Sequence, residues 1–578
     1  MADAEEQLDA WNPGLTSEIP RRLLPQVTLY RPENATVGYE EARDAADFCG
    51  LRPQDMIALN AGRLVIHEML IRVTADLHVP DGPNYEELGL NLRSMAARIL
   101  NKHIQPRMGD LETRFAELRA EAQVRLAEIL ERDIFARHQR GQQDAPGFFA
   151  RLMGRKPPPA ETERPEILAL AEWKAAIGDA ADPLETACLD ALRAIVGGMV
   201  GQRGRLFADR ETILRLAANR VCNDFGSRRI GEWITPIIAE AAETEGYRML
   251  PFQDKPFIMN VKGASAAGKS TIRPLQKELA ERLEIPWQDF ALISPDYWRK
   301  FLLDYKSLGP DYKYAAMLTG QELEIVDKKL DRYMQDKAMR QEMPHLLIDR
   351  FRFDSFSSPN SNQADGKLLS RFGDTVFLFL IITPPAETVE RAWTRGLTTG
   401  RFKAVDDLLY HNIEAYMGMP QLFLSWVNKK RQKIHVEFLD NSVPLGQRPR
   451  TVAFGWNGEV TIIDPDCMRA MNRYRNINID ARRPEDVFLE AKNPGKDMLA
   501  ECVEAVPKVT FADPATLEIR GQTQDGVCIY EADGYFERLG LAGMPRRPDG
   551  DALGSPPNPA RIDAERERRF TVGDWDGG

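Results

Sequence analysis

Residues 263–271 read Gly263-Ala264-Ser265-Ala266-Ala267-Gly268-Lys269-Ser270-Thr271 and fit the pattern G-x-x-x-x-G-K-[ST]. Each position in that pattern has a chemical reason. Small side chains let backbone N–H groups wrap a row of phosphates without Cβ clashes, and a helix starting at the loop adds its positive dipole end. Lys269 would reach the β- and γ-phosphates, and Ser270 would offer a hydroxyl to Mg²⁺. The loop also needs a strand before it and a helix after it. Residues 257–261 (FIMNV) are apolar and strand-like, and residues 270–283 are amphipathic and helix-like. The expectation is a site for ATP or GTP with Mg²⁺. Pro274 falls in the second turn of the expected helix, where a missing N–H should bend it slightly.

Further residues could turn phosphate binding into transfer. Asp296 follows a second apolar run, residues 290–293. The carboxyl ends of parallel strands face the ligand crevice, and a carboxylate there can take the proton of an attacking hydroxyl. A helix N-cap is the competing role. Asp349 ends a third run, residues 346–348, in the strand-then-Asp arrangement that holds Mg²⁺ directly or through water. A buried structural Asp is the competing role there. Arg391, Arg395 and Arg401 follow a fourth run, residues 376–382. Arginines in that place can close over phosphates and neutralise charge in the transition state. Arg395 and Arg401 are favoured over Arg391, with plain surface charge as the alternative.

These residues need a scaffold. Strands alternating with helices across residues 251–470 predict a mostly parallel sheet with helices on both faces. Residues 451–456 and 459–463 flank Asn457-Gly458, a dipeptide that favours φ > 0 at both turn positions, so a β-hairpin is expected. A large mainly α-helical region precedes this α/β core. Residues 1–155 form its first part. There Leu88, Leu92, Met95, Ala96 and Ile99 mark one buried face, and Leu111, Phe115, Leu118, Val124, Leu126 and Ile129 another. Residues 153–165 hold three consecutive prolines and read as a linker. Residues 156–250 are helical again, with the glycines at 197, 198, 201 and 204 read as a turn after a helix. Residues 471–545 suggest a small α/β extension. Residues 546–578, rich in Pro, Gly and charge, read as a disordered tail.

Composition excludes several classes. The net charge of −11 makes a general nucleic-acid binder a poor fit, because phosphate neutralisation needs clustered Lys and Arg. The six cysteines include no C-x-x-C pair, so neither a zinc site nor a redox pair is expected. They read as reduced, cytosolic residues. The seven histidines lack metal-ligand spacing and read as structural or surface residues. No run approaches the ~18 apolar residues of a membrane span, and the first residues lack the apolar core of a signal peptide. A cytoplasmic protein is expected.

By order and spacing, residues 255–440 resemble the zeta-toxin-like P-loop kinases. That group includes toxin kinases that phosphorylate UDP-N-acetylglucosamine and effectors that phosphorylate NAD. Gly268-Lys269-Ser270-Thr271-Ile272-Arg273 is similar to the family's loop and first helix turn. The resemblance implies a P-loop kinase core, with Asp296 as catalytic base and Glu324 as a substrate-contacting acid. It also implies Asp349 as the acid before a Gly-Thr pair, and Arg395 and Arg401 as lid arginines. The chain departs from the pattern at that pair, which is replaced by Arg350-Phe351-Arg352-Phe353. These bulky, basic residues suit an anionic acceptor. The expected function is Mg²⁺-dependent transfer of the γ-phosphate of ATP or GTP to a hydroxyl of a nucleotide sugar, dinucleotide or similar acceptor. Glu324, Arg350 and Arg352 would touch the acceptor. Arg350 and Arg352 also motivate a polynucleotide or modified-base kinase, which the net charge opposes. A third class is a nucleotide switch, with residues 36–247 as a module for a protein partner. That module could equally restrain the kinase in cis, as separate antitoxins do in the family.

Overall fold

The computed structural model describes residues 8–82, 86–138, 164–179, 182–350, 369–490, 497–546 and 561–575. Most of the expected 153–165 linker lies outside them, as do Phe351, Arg352 and Phe353.

One ten-stranded, mostly parallel sheet organises the described residues, in the order β10-β9-β8-β7-β6-β5-β4-β1-β3-β2. The strands are β1 Phe257–Lys262, β2 Phe290–Ile293, β3 His345–Asp349, β4 Thr375–Ile382 and β5 Lys433–Asp440. Then follow β6 Arg450–Trp456, β7 Glu459–Ile462, β8 Lys508–Ala512, β9 Ile519–Gln524 and β10 Val527–Glu531. The first five strands are mutually parallel and largely buried along their lengths, as apolar runs between helix layers should be. Their carboxyl ends open on one edge. The register sets Val261 beside Asp349, so the end of β3 lies next to the loop that leaves β1. Strands β8–β10 extend the same sheet across the boundary expected at residue 470.

The helical region is built from α1 Tyr39–Cys49, α2 Ala61–Asp76, α3 Glu87–Ile99, α4 Met108–Leu130, α5 Pro165–Asp179, α6 Pro183–Arg203, α7 Arg210–Val221 and α8 Ser227–Glu245. The core-side helices are α9 Arg273–Arg282, α10 Gly320–Met339, α11 Pro385–Thr399 and α12 Val405–Val427. Helix α2 is buried on every side, and its first turn is capped by Asn60, which accepts from the Arg63 N–H. It packs against α8, α10 and β2, so one apolar core runs from the helical region into the sheet.

Charged groups also join the two regions. Arg63 makes a two-pronged pair with Glu322 of α10, both contacts at 2.6 Å, and His67 Nε2 lies 2.6 Å from the same carboxylate. Lys329 donates to Ser227 at 2.8 Å, and Ser227 donates to Glu68 at 2.6 Å. Burial pushes His67 down to about 4 and Lys329 to about 8. Burial also works against an ionised Glu322, but Arg63 and His67 outweigh it and hold the carboxyl well below its usual range. The helical region and the sheet therefore share one core and one buried polar network. Among the described residues, no helix is long and apolar enough to cross a membrane.

Several local expectations change. Pro274 lies in the first turn of α9, after a tight turn at Lys269–Ile272, where a missing N–H costs nothing. Gly197, Gly198 and Gly201 sit inside α6, and only Gly204 ends it, at φ +74°. A Cβ at Gly198 would fall 2.3 Å from the Cys49 carbonyl, so the glycine permits close approach of α1. Val124 faces outward, 59% exposed, while the other five apolar residues of its expected stripe are buried. At the β6–β7 hairpin only Gly458 has positive φ. The Asn457 side chain instead bridges the Ile434 N–H and the Lys429 carbonyl. Of the expected 546–578 tail, residues 547–560 and 576–578 lie outside the described residues; within 561–575, Thr571, Val572 and Trp575 are buried and Trp575 stacks on Phe454.

Candidate active site

The loop after β1 is held from two strand ends. Thr383, just past β4, and Asn441, just past β5, both donate to the Ala267 carbonyl, at 3.0 and 2.8 Å. Ala266 and Gly268 have positive φ, 62° and 92°. A Cβ on Gly268 would lie 2.1 Å from Asn441 Nδ2, so the position has room only for glycine. A Cβ on Gly263 would meet Ile381 at 3.0 Å, a milder crowding, and Ala264 and Ala267 are fully buried as the loop's underside. Ser265, Ala266, Gly268, Lys269, Ser270 and Thr271 line a cleft of about 1420 Å³ at the carboxyl edge of the sheet.

The same cleft gathers Asp296, Glu324, Asp349, Arg350, Arg395 and Arg401. These come from four separate stretches of chain, and the parallel strand order brings them together. Lys269 Nζ donates to the carbonyls of Ala264 and Gly263 at 2.9 and 3.2 Å. Burial lowers its pKa, and Asp349 and Asp296 oppose that. Ser270 donates a short hydrogen bond to Asp349, as the β1–β3 register permits. A hydroxyl and a carboxylate oxygen side by side are the hard oxygen donors Mg²⁺ takes, the rest of its shell coming from phosphates and water. These two residues fit the ion. Among the described residues no group of three or more His, Cys, Asp or Glu forms a metal cage.

Asp296 sits between two guanidinium groups. Arg299 Nε donates to Oδ1 at 2.9 Å and Arg401 Nη2 to Oδ2 at 2.8 Å. Burial resists the ionised form, yet Arg401 and Arg299 outweigh it and hold the carboxyl far below its usual range. The side chain still reaches solvent through the cleft, at 47% exposure. The cap position of the short helical turn Pro295–Trp298 belongs to Ser294, and Asp296 is the turn's second residue. Arg299 is a residue the sequence reading left without a role, although it stands one turn after Asp296.

Other expected residues are placed differently. Arg350 turns onto α10, where it pairs with Asp327 at 2.5 Å and is only 10% exposed. It lines the cleft, but its charge is engaged by a carboxylate. Glu324 lies at the rim, 27% exposed, held by Lys328 at 2.6 Å and facing Arg52 at 3.6 Å. Arg391 donates to Glu387 and to the carbonyls of Asn441 and Val443, so it braces the loop after β5. Lys403 and His411 are a further pair behind the arginines, in short contact with each other. Burial pushes Lys403 down to about 8, and burial together with Lys403 pushes His411 down to about 2. Comparison of the chain with family models, with curated proteins and with solved structures returned no match.

Proposed function

We propose that the protein is a Mg²⁺-dependent phosphotransferase that moves the γ-phosphate of ATP or GTP to a hydroxyl of a small anionic acceptor. The observation that carries this reading is the convergence in one cleft of Lys269, the Ser270–Asp349 pair and an Asp296 clamped by Arg299 and Arg401. The volume supports two ligands, since about 1420 Å³ exceeds the ~300–1,000 Å³ of a pocket for one drug-sized molecule.

On this reading the loop amides and Lys269 hold the donor phosphates. Ser270 and Asp349 would hold Mg²⁺, which neutralises phosphate charge when bound. A carboxylate with so depressed a pKa is a weak base. That suits a loose phosphoryl transfer, in which the hydroxyl gives up its proton late and the Asp first orients it. Arg401 then has two partners in turn: Asp296, and the oxygens of the transferring phosphoryl group. Arg395, which lines the same wall, stabilises that group with it. Glu324 meets the acceptor at the rim. The engagement of Arg350 with Asp327 weakens the polynucleotide alternative, which leaned on its charge. The resemblance to zeta-toxin-like kinases supports the same roles.

The test is an incubation with Mg²⁺, labelled ATP or GTP, and a panel of UDP-sugars, NAD, nucleosides and oligonucleotides, read by mass spectrometry. An acceptor heavier by one phosphate is expected. Nucleotide hydrolysis without any phosphorylated acceptor would favour a switch instead.

A further inference from the structure

Helix α11 carries Arg395, and the turn after it carries Arg401. Both line the cleft, and something must set their positions. The structure offers one element with no evident role of its own, the irregular segment of residues 8–19. It folds on itself first: the Asp9 carboxylate accepts from the N–H groups of Trp11 and Asn12, each at 2.8 Å. Trp11 is then 8% exposed, inserted in a small cluster with Val389 and Ala392 of α11 and Val405, Leu408 and Leu409 of α12. Its indole N–H donates to Glu390 of α11 at 2.9 Å. Further along, Leu15 packs on Phe402 and Ala404, the residues that follow Arg401. Lys313 lies over the Phe402 ring at 5.5 Å and donates to the Pro13 carbonyl at 3.1 Å. Ser17 donates a short hydrogen bond to Asp406 at the start of α12. Both clusters are separate from the main core, so these contacts hold α11 and its turn from outside it.

We infer that residues 8–19 are a clasp that positions Arg395 and Arg401 over the transferring phosphoryl group, with Trp11 and Leu15 as its two anchors. The inference rests on the phosphotransferase reading for what the arginines do. Trp11 and Leu15 are positioning residues that touch no substrate.

The test compares Trp11→Ala/Leu15→Ala and Trp11→Phe with the wild type, by transfer kinetics and by hydrogen exchange. Misplacing reacting groups by about an ångström costs on the order of a hundredfold, so the double variant should lose about ten- to a hundredfold in kcat. KM for ATP should stay within about twofold: Ala266 packs on the Trp11 cluster, but Thr383 and Asn441 still hold the loop through the Ala267 carbonyl. Exchange should quicken in residues 385–404 and stay unchanged in residues 257–283. Trp11→Phe keeps the apolar anchor and should recover most of kcat. Unchanged kcat with unchanged exchange would overturn the clasp and leave the kinase reading standing. Exchange that quickens throughout the chain would also overturn it, by showing a merely stabilising role. If the wild type transfers no phosphate, the kinase reading fails, and the exchange pattern alone decides the clasp.

Discussion

On the proposed reading, the donor end of the cleft is built mainly from one run of chain, residues 265–271, and Thr383 and Asn441 behind it fix its backbone. At the proposed acceptor end no such run exists. Asp296, Glu324, Arg350 and Arg401 arrive from separate segments, and α10 between them is anchored to the helical region through a buried Arg63–Glu322 pair. A backbone cradle is specified by local spacing and tolerates change elsewhere. A convergent wall depends on packing far from the cleft, so distant substitutions should reach the acceptor and spare the donor.

The strongest way to break this contrast is Arg63→Met, which leaves Glu322 and His67 buried with less compensation. Removing one partner of a buried pair costs about 3–5 kcal/mol, which a denaturation midpoint will read. At temperatures where the variant stays folded, acceptor KM should rise more than donor KM. The double variant Arg63→Met/Glu322→Leu should regain much of the lost stability, because an apolar replacement of a buried pair is often neutral. An unchanged acceptor KM in the folded variant would dissolve the contrast.

Lys269→Ala probes the other end. Losing one preorganised cation at the developing charge should slow transfer by about 10²–10³-fold, with little change in melting temperature. Turnover near normal would remove the loop from the chemistry. Glu324→Gln should do less, since the carboxylate is at the rim: about a three- to tenfold rise in acceptor KM, with donor KM unchanged. The smallest effect concerns pH. Burial sets Lys403 at about 8 against an ordinary 10.5, so between those values the unfolded chain binds more protons and stability rises with pH. Relative to Lys403→Met, the wild type should gain about 1 kcal/mol per pH unit across that window. A difference that stays flat there would contradict the burial of Lys403.

Legibility followed the same division. The loop, its strand, Asp296, Asp349 and the arginine helix were readable because apolar run, small-residue loop and carboxylate stand in fixed order along the chain. Strand β5 was missed, and the reason lies elsewhere in the molecule. His435 and Glu437 interrupt its apolar pattern although both are fully buried. Glu437 accepts from the Val572 and Gly573 N–H groups at 2.8 and 2.9 Å and from Thr451 at 2.8 Å, while burial pushes it up to about 7. The strand's polar residue and the docking of residues 571–575 are thus one fact, and reading residues 546–578 as disordered hid both. Asn441, which follows that strand, was hidden with it. The shared core of the helical and sheet regions was equally invisible, since Arg63 and Glu322 are 259 residues apart. Deleting residues 1–165, which an inhibitory module would survive, should therefore leave an insoluble chain rather than a more active one. Residues 8–19 likewise show no pattern along the chain until Glu390 is placed beneath Trp11.

The most direct measurement of the central claim is Asp296→Asn, assayed for single-turnover transfer and, in the same preparation, for ATP affinity in Mg²⁺. The account predicts transfer lower by about 10²–10⁴-fold, with the ATP dissociation constant within about threefold of the wild type. Transfer that survives the substitution, or a loss matched by an equal loss of ATP binding, would contradict it.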